Sequence, residues 1–108
     1  MSAYVVVTID IHDPEGYEKY KALAPDSIGR HGGRYLTRGG AVEVLEGEWP
    51  KRRFVILDFP DMDAARRWHA SAEYAGPKAM RQAASTTVML LAEGLPVPFA
   101  PGEANNPA

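Results

Sequence analysis

Arg34 and Arg38 lie four residues apart on a short run bracketed by two glycine pairs, Gly32-Gly33 and Gly39-Gly40. Glycine pairs allow backbone angles that other residues resist, so they punctuate strand ends. On a regular strand residues two apart share a face. Arg34, Leu36 and Arg38 would then point the same way, with two guanidinium groups about 13 Å apart at the usual rise per residue. The planar fork of arginine suits carboxylates. The pair could therefore flank an anionic ligand, or each arginine could pair with a neighbouring acid. Glu46 and Trp49 follow on either side of Gly47, in a loop that could close a pocket mouth or cover a dimer rim.

Asp58 is the acid most in need of an explanation. It interrupts the apolar run Arg53 to Phe59, on the parity of Phe54 and Ile56. A carboxylate there must be paired, hydrated or protonated, and a protonated one suits general acid or base work. The competing reading is a structural ion pair with Arg34. Asp10 poses the same question near the end of the first strand, with Arg52 or Arg53 as possible partners. Tyr17, Tyr20 and Trp68 fall on helix faces aimed at a sheet, where aromatics build core or shape a pocket wall. His12, His31 and His69 are scattered without metal-site spacing. The glycine pairs lack the spacing of a phosphate loop or dinucleotide fingerprint, and the serines lack a nucleophile-elbow context. No cofactor and no metal is expected.

The elements that must hold these residues are legible. Tyr4 to Ile11 is β-branched and unbroken, a strand with one aliphatic parity. Asp13-Pro14-Glu15 starts a helix, with a capping carboxylate, proline at the first position and an acid at the positive end of the dipole. Tyr17, Tyr20, Ala24 and Ile28 form its stripe, and Pro25 predicts a kink or a break. Arg34 to Arg38 is a second strand, and Ala41 to Leu45 a short arm pairing back on it. Arg53 to Phe59 is the third strand. Asp61 caps a helix from Met62 to about Ala70, with Ala64, Ala65, Trp68 and Ala72 inward. Ser71 caps a short turn through Tyr74. Gly76-Pro77 restarts a helix to about Ala84, with Met80, Ala83 and Ala84 inward. Thr86 to Glu93 is the last strand.

This β-α-β-β-α-β order predicts an α+β, ferredoxin-like fold: a four-stranded antiparallel sheet with helices on one face, over residues 1–94. Residues 95–108 form a Pro-rich extended or disordered tail with Phe99 as its anchor. The other sheet face would stay bare and apolar, which predicts a homodimer through sheet faces. Bulk properties agree with a small globular domain: 108 residues, 45% hydrophobic, 24% charged, net charge −2 and no cysteine. That charge argues against nucleic-acid binding. No run approaches the length of a membrane span and no secretory signal is visible, so no membrane partner and a cytoplasmic location are expected. Arg52-Arg53 and Arg66-Arg67 read as solvated faces or local ion pairs.

Four segments together resemble the domain-of-unknown-function 1330 family of the dimeric α/β-barrel superfamily. They are Gly-Gly-Arg-Tyr-Leu-Thr-Arg-Gly-Gly (32–40), Leu-Glu-Gly-Glu-Trp-Pro (45–50), Val-Ile-Leu-Asp-Phe-Pro (55–60) and Ala-Ala-Arg-Arg-Trp-His-Ala-Ser-Ala-Glu-Tyr (64–74). The resemblance spans about residues 3 to 94 and implies a ferredoxin-like protomer and a sheet-to-sheet dimer. It implies no particular reaction, since the superfamily includes cofactor-free monooxygenases, isomerases, polyketide cyclases and haem-binding enzymes. Asp58 stands where the family pattern tends to carry glutamate, and a shorter acid changes reach. Two readings follow. One is a cofactor-independent enzyme-like protein acting on a small anionic or enolisable molecule, of isomerase, cyclase or monooxygenase type. In it Asp58 moves protons, Arg34 and Arg38 hold charge, and Tyr20, Glu46, Trp49 and Trp68 complete the pocket. The other is a non-catalytic dimeric module that binds a small molecule.

Overall fold

The computed structural model describes residues 2–96. Seven elements follow one another: β1 (Ala3–Ile11), α1 (Pro14–Arg30), β2 (Arg34–Arg38), β3 (Arg53–Phe59), α2 (Met62–Ala70), α3 (Ala72–Ala84) and β4 (Ser85–Glu93). The strands form one antiparallel sheet in the order β2-β3-β1-β4. The expected α+β, ferredoxin-like fold is the one observed, with its second helical segment divided in two. From residue 97 on, the tail expectation, including Phe99, lies outside the described residues.

Alternation explains the layering. Val5, Val7 and Ile9 of β1 and Val55 and Leu57 of β3 are buried against the helices, while Val6, Thr8, Phe54 and Ile56 between them are only half-buried. On β4, Val88 and Leu90 remain 49% and 60% exposed. These residues share the second face, because Val6 is level with both Ile56 and Leu90, and Thr8 with both Phe54 and Val88. One face is therefore core and the other is bare and largely apolar.

The helices are anchored where their sequences say. The Asp13 carboxylate accepts from the Gly16 N–H at 3.2 Å, and the Asp61 carboxylate from the Ala64 N–H at 2.7 Å. The core centres on Trp68, stacked on Tyr74 at 4.2 Å and beside Phe59 at 5.3 Å between ring centroids. Its indole N–H donates to the Ser27 hydroxyl (3.1 Å), which itself donates to the Ala24 carbonyl (2.8 Å). That chain leaves no buried polar group of the three unpaired.

Three local expectations are corrected. Pro25 does not break α1, which runs from Pro14 to Arg30. Proline lacks the N–H that would bond the carbonyl four residues back, here that of Lys21. Arg38 reaches across from β2 and donates to that carbonyl at 2.7 Å. A side chain replaces the missing helical bond. Likewise Ser71 to Ala84 is not a turn followed by a restarted helix. Ser71 caps one helix, α3, through the Tyr74 N–H (3.2 Å), and Pro77 lies inside it. The inward residues are then Tyr74, Arg81 and Ala84, with Ala72, Met80 and Ala83 exposed. Ala41 to Leu45 forms no strand. Gly39, at φ +69, donates to the Phe54 carbonyl and turns the chain off the ladder. β3 begins only at Arg53, so no strand is left to pair.

If Arg38 truly replaces the bond that Pro25 removes, the two residues are energetically coupled. Arg38→Ala is expected to lower unfolding stability by about 1–2 kcal/mol in the native background and by less in a Pro25→Ala background, where the backbone supplies the donor. Equal losses in both backgrounds, measured by denaturant unfolding in a double-mutant cycle, would remove this role.

Candidate functional site

The polar groups of the helix-covered side converge on a small cavity between α1, the helix-facing side of the sheet and the edges of α2 and α3. Tyr17 and Tyr20 enter from α1, Tyr35 and Arg38 from β2, Arg53 and Val55 from β3, Trp68 from α2 and Arg81 from α3. The void is about 20 Å³, room for about one water molecule. Three arginines and Lys21 line it, and no acid does. Arg38, Arg53 and Arg81 have no carboxylate within 4.0 Å among the described residues.

Each arginine is held by something other than a counter-charge. Arg38 bonds the Lys21 carbonyl and lies over the Tyr35 ring, 4.6 Å from its centroid. Arg53 lies over the Tyr17 ring at 5.6 Å, and its Nε is buried without a hydrogen-bond partner. Its guanidinium packs where a side chain on Gly39 would stand, so that glycine serves both the turn and the cavity. Arg81 is 5% exposed and donates from Nε to the Tyr74 hydroxyl at 3.3 Å. A guanidinium so buried normally carries a carboxylate partner. Burial also raises the Tyr17, Tyr20 and Tyr35 phenols above their ordinary value of 10.0. For Tyr17 the nearby Arg53 opposes that rise, and for Tyr20 the adjoining Tyr74 adds to it. These phenols are therefore proton donors at neutral pH. The arrangement can bind negative charge and hydrogen-bond an oxygen against aromatic walls.

The sequence-derived candidates do not assemble into one site. Arg38, Tyr20 and Trp68 line the cavity. Asp58 and Arg34 lie across the sheet on the bare face, in register with each other and with Tyr4. Arg34 meets the Asp58 Oδ2 from both Nε and Nη2 at 3.0 Å, while Oδ1 is buried without a partner. The shared face expected for Arg34 and Arg38 is overturned by an irregularity in β2. Arg34 pairs with Asp58 and Tyr35 with Leu57, but Thr37 then pairs with Ile56 and Arg38 with Val55. One extra residue, Leu36, reverses the parity. Glu46 and Trp49 lie in the exposed loop beyond Gly39, where the Trp49 ring sits 6.2 Å from that of Phe54. Phe54 belongs to the bare face, so Trp49 extends that face rather than the cavity. Asp10 forms no ion pair with Arg52 or Arg53 among the described residues.

Arg53, Arg81 and Tyr35 line the cavity, with Tyr74 bonded behind Arg81, and none of the four is among the sequence-derived candidates. Arg53 passed for a surface charge because it adjoins Arg52. Arg81 was hidden by the proline: once residues 72–84 are read as one helix, Tyr74 and Arg81 fall seven apart on a single face.

Fold and cavity together define a ferredoxin-like α+β protein with a basic, aromatic-walled pocket under its helices. The chain belongs to the family described as domain of unknown function (DUF1330), which it matches over residues 2–95. Among solved structures it is similar to RPA0582, a protein of unknown function from Rhodopseudomonas palustris. The two share 19% identity over 87% of this chain and 82% of that one, with a TM-score of 0.72. It is also similar to SnoaB, a cofactor-independent oxygenase from Streptomyces nogalater, with 20% identity over 94% of this chain and 98% of that one and a TM-score of 0.59. No sequence among curated proteins matches it. Among the described residues no helix is long and apolar enough to cross a membrane.

The raised phenols set a pH dependence. Each holds its proton more tightly when folded than when unfolded, so above pH 10 the folded state binds more protons and stability falls as pH rises. Tyr20→Phe is expected to flatten that alkaline decline, read from denaturant midpoints between pH 9 and 11. An unchanged slope would show that Tyr20 ionises as freely as in an open chain.

Proposed function

We propose that this protein acts, without a resident cofactor, on a small anionic or enolisable organic molecule held in the cavity beneath the helices. The observation that carries this reading is the uncompensated positive charge of Arg38, Arg53 and Arg81. Arg81 is buried and Arg53 half-buried. Burying such a guanidinium without a carboxylate costs several kcal/mol in rough terms, which a negatively charged ligand would offset. Arg38, exposed at the mouth, adds charge without that cost. The phenols and Trp68 supply hydrogen bonds and a flat apolar wall, the usual composition of a small-molecule site. The fold shared with a cofactor-independent oxygenase is compatible with isomerase, cyclase or monooxygenase chemistry. A purely binding role uses the same cavity. Asp58 is not among the acting residues, since it faces away from the cavity and is already paired.

A molecule larger than water needs the mouth to open. Arg38 is exposed at that mouth, and releasing its bond to the Lys21 carbonyl frees it to turn toward a ligand. The working unit in this proposal is a homodimer in a cytoplasmic setting. Val6, Ile56, Phe54, Val88 and Leu90 offer an apolar face to a second copy, and the Arg34–Asp58 ion pair on that face is closed within the protomer.

Benzoate against its neutral amide tests the charge. The wild-type protein is expected to bind benzoate at least about tenfold more tightly than benzamide, and Arg53→Met to erase the difference, by calorimetry. Equal affinity for both in the wild-type protein would contradict an anion site. Separately, Leu90→Glu is expected to convert a dimer to a monomer in sedimentation equilibrium while leaving the fold intact. A wild-type monomer at micromolar concentration would contradict the paired-sheet assembly.

A further inference from the structure

Three buried groups inside the cavity wall form a hydrogen-bond chain whose direction is fixed by proton bookkeeping. The Tyr20 and Tyr74 hydroxyls are 2.9 Å apart, and the Arg81 Nε donates to the Tyr74 oxygen at 3.3 Å. Two hydroxyl protons are available, and only one can lie between the oxygens. Suppose Tyr20 donated to Tyr74. The Tyr74 proton would then need another acceptor, yet Tyr74 is 0% exposed, does not line the cavity, and has no further acceptor among the described residues. A buried unsatisfied donor costs about 1–3 kcal/mol. With the opposite sense, Tyr74 donates to Tyr20 and nothing is lost. The Tyr20 proton is then free, and Tyr20 lines the cavity. Arginine to Tyr74 to Tyr20 thus runs from a buried cation to an open donor, each bond polarising the next.

We propose that Tyr20 is the residue that donates a hydrogen bond to an anionic oxygen of the bound molecule, with Tyr74 and Arg81 positioning and polarising it. The ligand class is correspondingly narrowed to a conjugated oxyanion, an enolate or phenolate, whose charge rests on one oxygen beside a planar apolar body. A single O–H donor satisfies one such oxygen, while Tyr17 and Trp68 accept the flat remainder. This assignment rests on the anion-site reading above. It adds which group meets the charged atom and which groups, previously without a role, make that group a donor. Burial, the largest influence on the Tyr20 phenol, keeps it protonated, as a donor must be.

The test uses 4-nitrophenolate, with neutral 4-nitroanisole as the uncharged control, on the full chain. Wild-type protein is expected to bind the phenolate with its visible band at shorter wavelength than in Tyr20→Phe, the signature of a donor on the oxygen. Tyr20→Phe is expected to weaken phenolate binding by about 10-fold or more, leave nitroanisole binding unchanged, and move the bound band back to longer wavelength. Tyr74→Phe keeps the Tyr20 hydroxyl but removes the bond that orients it. It is expected to weaken the phenolate by a smaller factor, about three- to fivefold, with a partial band shift that a merely structural change would not produce. If Tyr20→Phe binds the phenolate as wild type does while Arg53→Met weakens it, the donor assignment is overturned and the anion site stands. If wild-type protein binds neither the phenolate nor benzoate, the anion site fails and the assignment falls with it.

Discussion

The bond between Arg38 and the Lys21 carbonyl joins α1, the edge strand β2 and the mouth of the cavity. Pro25 leaves that carbonyl without a helical partner, and the irregularity at Leu36 turns Arg38 inward to reach it. One contact therefore keeps α1 continuous past a proline, fixes the edge strand β2 against it, and places a cation at the mouth of the cavity. Were β2 a regular strand with Leu36 in the ladder, Arg38 would follow Arg34 onto the bare face. Without the proline, it would have no carbonyl to hold it over the opening.

The two faces of the sheet then divide the labour. The covered face concentrates arginines and phenols with no acid among them, a charge imbalance that a folded interior retains only where something else meets it. The bare face carries Asp58, already neutralised by Arg34, and Asp10 at the exposed end of β1, amid largely apolar residues. Charge separation across a sheet one residue thick is achieved simply by alternation, since successive residues of β3 face opposite ways: Arg53, Val55 and Leu57 inward, Phe54, Ile56 and Asp58 outward.

The architecture was legible because it rests on long, regular signals. The β-branched run of β1, the Asp13-Pro14 and Asp61 helix starts and the alternation of β3 each say one thing, and the observed strands and helices begin where these residues indicate. The Arg34–Asp58 pair was legible too, as it needed only the sheet order. The site was far less so, and for specific reasons. A single inserted residue in β2 reverses the direction of Arg38, and no residue type there announces it. Pro25 and Pro77 read as breaks, yet one is rescued by a side chain distant in sequence and the other lies inside a continuous helix capped by Ser71. Misreading α3 cost the most, because it hid Arg81 and Tyr74 from the face they share. Local rules located the elements; the cavity depends on which of them touch.

The central claim is that the cavity's positive charge is meant for an anion from outside the chain. A crystal structure of the protein as purified tests this most directly. The expected result is an anionic molecule or its oxygen within hydrogen-bond reach of Arg53 Nε and the Tyr20 hydroxyl. The contradicting result is a dry cavity in which Arg38, Arg53 and Arg81 each meet a carboxylate of their own chain or of a second copy.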